Sequence, residues 1–367
     1  MNENYRLLSD VAIFSELRTD IATVDSTNYI STENMLPNRG GVCEASTLPD
    51  VKKLPKYEPK DILLSNIRPY FKKIWYADKV GGCSNDVLVV KAKENIDPQF
   101  LYYVLSDNNF FNYSTVTSKG TKMPRGSKHA IMKYLVPNID KPTQLKIVDI
   151  LSTYDELIEN NNKRIKLLEQ MAENLYKEWF VRLRFPGYKN AEFENGIPKD
   201  WKYMKLNKVL TVFYGKDHSK LEDGDIPVYG SGGIMRYGNR ALYEDESVLI
   251  PRKGSLNNIM WVNQPFWTVD TMFYTKALIP NVEKYIYYVL SSLDMASFNT
   301  GAALPSMTTD ILYHLKIVVP SETLLARFDE TVSELYKQRT LLEIKNNNLI
   351  KQRDLLLPRL MSGKLEV

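Results

Sequence analysis

Five cations and no acid fall within KGTKMPRGSKHAIMK (119–133): Lys119, Lys122, Arg125, Lys128 and Lys133. Gly120, Pro124 and Gly126 punctuate them, so the segment reads as a loop and not as a helix face. A glycine-punctuated basic loop can approach a phosphate backbone closely. Its lysines suit phosphates, and its arginine suits base edges. The bland alternative is a solvated loop at a domain edge. Lys119, Thr121, Lys122, Arg125 and Lys128 are the candidates here. Upstream, Ser65, Asn66 and Arg68 in DILLSNIRP (61–69) place a hydroxyl, an amide and a guanidinium close together. The second half of the chain offers a different set. Lys216 and His218 lie just ahead of the acidic stretch EDGD. YGSGG (229–233) supplies Tyr229 and Ser231, Arg236 follows, and PRKGS (251–255) supplies Arg252 and Lys253. TGAALPSMTT (300–309) has no charge and offers only the hydroxyls of Thr300, Ser306 and Thr308. For each of these the competing reading is a framework turn.

Chemistry that would make an enzyme is not visible. There is no G-x-x-x-x-G-K-[ST] phosphate loop and no Asn-Pro-Pro-Tyr run of the adenine-methylase kind. YGSGG is followed by IMRYGNR, which reads as turn or strand, whereas a dinucleotide loop needs a helix there. His129, His218 and His314 have no metal spacing, and His314 reads as an edge or core residue of the apolar strand YHLKIVV. Pro49-Asp50 followed by Glu58-Pro59-Lys60 imitates a metal-dependent nuclease, but Pro49, Pro55 and Pro59 argue for a loop. No metal or cofactor is expected on this chain. Net charge is +4, which permits a nucleic-acid partner without demanding one. The N-terminus MNENYRLLSD has no signal-peptide pattern, no run approaches 18 apolar residues, and Cys43 and Cys83 form no disulfide framework. A reduced, cytoplasmic protein without a membrane span is the expectation.

The elements that would position these loops repeat. YYVLS occurs at 102–106 and again at 287–291. DILLSNIRPYFKKI (61–74) faces SVLIPRKGSLNNIM (247–260), and Gly120 and Pro124 face Gly301 and Pro305. Apolar strands ending in Pro close each half, YLVP (134–137) and LKIVVP (315–320). The offsets drift between about 180 and 186 residues, as loop insertions in a duplicated domain produce. After each strand comes a helix with a sustained 3.5-residue apolar period. The first seam includes Ile147, Leu151, Ile158, Asn161, Leu168 and Leu175; the second includes Phe328, Leu335, Leu342, Asn346, Leu349 and Leu356. Each seam carries one Asn, a residue that fixes register at some cost in stability, so Asn161 and Asn346 are expected to pair. FPG (185–187) and Ser362-Gly363 should end the helices, and Pro358 should kink or fray the last turn of the second. Val148, Ile150, Leu157, Leu167, Met171, Tyr176 and Phe180 lie off the seam and need further cover, from the chain itself or from a partner. The predicted fold class is α+β, with two mixed recognition domains joined by two long antiparallel coiled-coil helices and an internal pseudo-two-fold repeat. The boundaries are domain 1 at 1–141, spacer 1 at 142–187, domain 2 at 188–320 and spacer 2 at 321–367.

With that order in place, the chain resembles the specificity subunit of type I restriction-modification systems. GIPKDWKYMKL (196–206) looks like the opening of a recognition domain, DILLSNIRP like its middle, and QLKIVDIL (144–151) and LLPRLMSGKL (356–365) like the ends of the helical regions. KPTQ keeps Gln144 of the usual helix-opening pattern but has Thr143 in place of Glu, and PSETLLARF keeps neither. The resemblance implies a non-catalytic reader of a split double-stranded DNA target, each domain reading one half and the helices setting the gap. It implies two methylation subunits docked on the helices, with restriction subunits as further partners. S-adenosylmethionine, ATP and Mg²⁺ would belong to those partners. The competing classes are a DNA-modifying enzyme with an unrecognised site and a coiled-coil scaffold with no DNA role.

Overall fold

The computed structural model describes residues 4–299 and 305–362. The chain divides into two units, Met1–Asn161 with Ile344–Val367, and Asn162–Glu343.

In unit 1 the runs ILLS and VLVV form the buried centre of a four-stranded antiparallel sheet, ordered Ala12–Phe14, Val87–Ala92, Ile62–Ser65, Ile74–Tyr76. Continuous apolar runs of this length, instead of alternation, are what burial on both faces demands. A second sheet runs Arg18–Asp20, Lys53–Tyr57, Gly81–Cys83, Tyr29–Ile30, and its last pair is parallel. Tyr5–Leu7 pairs with Leu135–Pro137. The first YYVLS is the end of the helix Pro98–Ser106. Asp97 caps that helix by accepting from Gln99 and Phe100 N–H, and Pro98 opens it. Phe100, Leu101, Val104 and Leu105 then join Ile62, Leu64, Leu88 and Val90 in one core.

Unit 2 repeats this plan, with three strands instead of four in its second sheet. Its four-stranded sheet is Leu210–Tyr214, Met272–Ala277, Ser247–Pro251, Met260–Val262. Its second sheet is Gly233–Gly238, Ile226–Gly230, Trp267–Thr268, again ending in a parallel pair. Lys202–Lys205 pairs with Lys316–Val319, and the second YYVLS ends the helix Glu283–Ser291. In the IPKDW stretch, Trp201 is buried against Phe180 and Phe185.

The long helices span Lys141–Tyr176 and Glu322–Met361. The first continues as a wider π turn over Lys177–Val181, where Trp179 and Phe180 both pack into the unit 2 core. Ile147, Leu151, Ile158, Asn161, Leu168 and Leu175 are all buried or half-buried, as are Phe328, Leu335, Leu342, Asn346, Leu349 and Leu356. In unit 1, Asp155 meets Arg353 at 2.5 Å, and Asn161 Nδ2 donates to Asn346 Oδ1 at 2.8 Å. In unit 2, Glu169 meets Arg339 at 3.5 Å and Trp179 packs against Phe328. Rising numbers on one helix match falling numbers on the other, so the pairing within each unit is antiparallel. Gln144 has a structural duty. It is buried, its Oε1 accepts from Asp97 N–H at 2.8 Å, and its Nε2 donates to Ile139 O at 2.7 Å. The helix start is thereby tied to the cap of the YYVLS helix.

Four local expectations are revised. The first long helix stops at Val181, ahead of FPG. The second is helical through Pro358 to Met361, because Leu357, Leu360 and Met361 are buried in the unit 1 core and hold the last turn. Pro55 sits in the strand Lys53–Tyr57, opposite Arg18, and not in a loop. His314 is the last residue of the helix Thr309–His314, mostly exposed, with its ring on Asp310 O. Among the off-seam apolar residues, Tyr176 is buried and Val148, Ile150 and Phe180 are half-buried, while Leu157, Leu167 and Met171 remain exposed.

The Asn pair gives a direct check on register. Asn161→Cys with Asn346→Cys, in a Cys43→Ser background that removes the exposed native thiol, is expected to form an intramolecular disulfide on mild oxidation. Mass spectrometry of the non-reduced chain reads the result. A folded double variant that stays reduced would mean that the two side chains do not meet in solution.

Candidate nucleic-acid interface

In unit 1 the two candidate segments converge. Arg68 leaves the buried strand Ile62–Ser65 in the left-handed region, at φ +50°. Its N–H donates to Pro124 O at 2.8 Å, and Gly126 N–H donates to Asn66 O at 2.9 Å. Asn66 N–H in turn donates to Asp86 O at 2.8 Å. The basic loop is closed on itself by Lys119 and Arg125, which exchange both backbone hydrogen bonds at 2.9 Å. Gly126 is closely packed: a Cβ there would meet Asn66 Oδ1 at 2.9 Å and Ile131 Cδ1 at 3.1 Å. Lys119, Thr121, Lys122, Arg125 and Lys128 all face solvent. Arg125 Nη2 rests on Asp86 Oδ1 at 3.0 Å, and Lys128 Nζ lies 5.8 Å from the Phe14 ring centre.

Unit 2 builds the same backbone frame from other residues. Gly254 N–H donates to Pro305 O at 3.2 Å, Met307 N–H to Arg252 O at 2.8 Å, and Arg252 N–H to Thr271 O at 2.8 Å. Asn66, Arg68, Asp86, Pro124 and Gly126 therefore correspond to Arg252, Gly254, Thr271, Pro305 and Met307. Arg125 corresponds to Ser306, which bridges Lys253 as Arg125 bridges Ile67. The hairpin turn around Ser231 is drawn to this frame. Asn258 Nδ2 donates to Ser231 O at 2.9 Å, and Gly254 approaches the Ser231 hydroxyl so closely that a Cβ would lie 2.9 Å from it. Lys253 is exposed. Arg252 lies over the Tyr214 ring at 5.3 Å and donates through Nη1 to Asp270 O at 3.2 Å.

Several sequence candidates turn out to serve the frame. Ser65 is buried and its hydroxyl donates to Ile67 O. Tyr229 is buried against Phe266, and that burial raises its phenol above the ordinary range. Arg236 donates to Leu221 O at 2.9 Å and Asp223 Oδ1 at 3.0 Å, clamping its hairpin. Thr308 caps the helix that begins at Thr309, accepting from Ile311 N–H. Lys216 is exposed, with its backbone N–H on Thr268 O at 2.8 Å. Beside it, Asp217 is held below its usual carboxylate range, first by the Ser219 hydroxyl, so an anion stands next to Lys216 and His218. The His218 ring is half-buried, and its Nδ1 meets no partner among the described residues. Thr300 lies outside the described residues. Asp86, Thr271 and Tyr214 were missed. Each lies far along the chain from the loop it supports, and no local pattern marks it.

Among the described residues no group of His, Cys, Asp or Glu could hold a metal ion, and no helix is long and apolar enough to cross a membrane. A family model described as "Type I restriction modification DNA specificity domain" matches residues 16–170 and again 198–352. The MjaIX specificity subunit of a type I restriction enzyme from Methanocaldococcus jannaschii is 26% identical over 312 residues, covering 75% of this chain and 71% of that protein. The HindI specificity subunit of a type I restriction enzyme from Haemophilus influenzae is 21% identical over 98% of each chain. A crystal structure of the S subunit of a type I restriction-modification system from M. genitalium matches with a TM-score of 0.58 at 17% identity, over 98% of this chain and 97% of that one. At that identity the likeness establishes the fold.

Proposed function

This chain belongs to the type I restriction-modification DNA specificity family, and from that premise we propose that its two units each read one half of a split double-stranded DNA target. It is a non-catalytic recognition subunit. The observation that supports two separate readers is the repeated frame, in which one set of backbone hydrogen bonds carries Asn66, Arg68 and Arg125 in unit 1 but Arg252, Gly254 and Ser306 in unit 2. Keeping one backbone frame while changing the residues it carries is what two different half-sites require, because base edges are read by side chains while backbone geometry only positions them. Lys119, Lys122 and Lys128 in unit 1, with Lys253 in unit 2, are exposed and suit phosphates.

In this reading the long helices set the gap between the half-sites and dock two methylation subunits, with restriction subunits joining them. The exposed Leu157, Leu167, Met171, Leu341, Ile344 and Leu355 on those helices offer the apolar surface such docking would cover. S-adenosylmethionine, ATP and Mg²⁺ belong to the partners and not to this chain.

The test is methylation mapping. The chain is co-expressed with a methylation subunit from the same locus, and the DNA is sequenced for modified bases. A split motif with a fixed gap is the expected result. A single continuous motif would leave only one unit reading, and no motif from an intact complex would return the chain to the scaffold class. A second expectation concerns phosphates. Lys122→Ala should leave folding unchanged, weaken binding on all sequences alike, and reduce the salt slope of log K by about 0.9, the loss of one phosphate contact. Fluorescence anisotropy across a salt series measures it, and an unchanged slope would remove Lys122 from the contact set.

A further inference from the structure

We infer that Arg125 is the residue of unit 1 that reads a guanine, and that Asp86 is the positioning residue that aims it. This rests on the two-reader proposal above and goes beyond it, to one residue pair and one base. Five cations crowd the 119–133 segment, but they are not equivalent. Lys122 projects from the open turn of the loop. The Arg125 backbone is fixed on both sides. Its own N–H and C=O are paired with Lys119, Pro124 O before it accepts from Arg68, and Gly126 N–H after it donates to Asn66. The side chain is then fixed a second time by the contact of Nη2 with Asp86 Oδ1, while the guanidinium stays 59% exposed. Asp86 is itself tied to the same frame, since its carbonyl accepts from Asn66 N–H. A fixed root and an aimed, exposed fork are what bidentate recognition of guanine O6 and N7 needs, because a pre-oriented group loses less freedom on binding. An exposed ion pair contributes little to stability, so a stability role does not account for the arrangement. In unit 2 both members are replaced together. Ser306 stands at the Arg125 position and Thr271 at the Asp86 position. At these two positions unit 2 has neither a guanidinium nor a carboxylate, its frame guanidinium being Arg252 at the Asn66 position, so Arg125 and Asp86 act as a unit that one reader has and the other lacks.

The experiment maps methylation by the wild-type complex, by Arg125→Lys and by Asp86→Asn, each chain also melted alone to check its fold. Lysine keeps the charge and loses the fork, so phosphate attraction persists while base reading does not. Arg125→Lys is expected to relax one G·C position of one half-site, with methylation at the relaxed sites rising roughly 5- to 150-fold relative to wild type. The other half-site and the gap stay as they were. Asp86→Asn should relax that same position to a smaller degree. A purely structural role for Asp86 would instead lower the melt and reduce methylation at all sites alike, without widening the motif, and that outcome overturns the positioning claim. An unaltered motif in Arg125→Lys, or relaxation at an A·T position, overturns the assignment of Arg125 while leaving the two-reader proposal standing. A wild-type complex that yields no split motif removes that proposal, and this inference with it.

Discussion

Val104→Asp unfolds unit 1. Val104 is 3% exposed and sits in the first YYVLS among Phe100, Leu101, Phe110 and the sheet residues Leu64 and Val90. The substitution removes apolar packing and places a carboxylate in an apolar core. Together these cost more than about 4 kcal/mol, which is a large part of the roughly 5–15 kcal/mol that holds a domain together. Calorimetry of the purified chain should show the transition of unit 1 lost while that of unit 2 persists, and limited proteolysis should cut within residues 1–140. The matching Val289→Asp is expected to be milder, because Val289 is only partly buried at the edge of its core. A Val104→Asp chain that melts like the wild type and still reads both half-sites would mean that YYVLS is not framework. The pentapeptide recurs for a second reason as well. Its second tyrosine reaches a long helix in both units: Tyr103 OH donates to Asp155 Oδ2 at 2.8 Å, and Tyr288 OH lies 2.6 Å from Tyr336 OH. The same helix turn both fills the core and fastens the unit to its spacer.

How much of this could be read from the chain depends on the range of the interaction. The helical seams were legible because a 3.5-residue period sustained over many turns is a local pattern, and Ile147, Leu151, Phe328 and Leu342 are buried where the period places them. The duplication was legible because a frame held by backbone hydrogen bonds leaves its mark in Gly and Pro positions, Pro124 and Pro305 among them. The basic loop was legible from its glycines. Which side chains of a turn face outward was not. Ser65 and Tyr229 belong to strands whose inward face is set by sheets assembled from distant segments, and Arg236 is turned back by partners at Leu221 and Asp223. The pairing of Arg125 with Asp86 spans one strand and two helices of intervening chain, and no periodicity encodes it. His314 was misplaced because the strand-forming run LKIVV follows it directly, and only the Thr308 cap reveals that a short helix ends just before that run.

The second large effect is expected of Arg353→Ala. Arg353 interrupts the apolar period of the second helix, and in the structure it is the centre of a charge chain. Its Nη1 meets Asp155 Oδ1 on the first helix at 2.5 Å, and its Nη2 meets Asp354 Oδ1 at 3.0 Å. Asp354 Oδ2 takes Arg39 Nη2 at 3.0 Å, and Arg39 Nη1 donates to Ser106 O at 2.8 Å, at the end of the YYVLS helix. Burial opposes the Arg353 charge, but Asp155 and Asp354 more than offset it and hold the guanidinium above its ordinary value. Removing the guanidinium leaves Asp155 without this cation and Asp354 with Arg39 as its other partner. The expected loss is about 2–4 kcal/mol, below the full figure for a wholly buried pair because the carboxylates are partly exposed and screened. Denaturant unfolding of unit 1 measures it. The decisive comparison is a cycle with Asp155→Asn, which keeps an acceptor for Tyr103 OH while removing the charge. If the network holds the two helices and the YYVLS helix as one body, the second substitution costs little once the first is made, with a coupling of about 0.5–3 kcal/mol. Strictly additive losses would mean that Arg353 and Asp155 act independently, and the register of the spacer in unit 1 would then rest on the apolar seam and the Asn161–Asn346 pair alone.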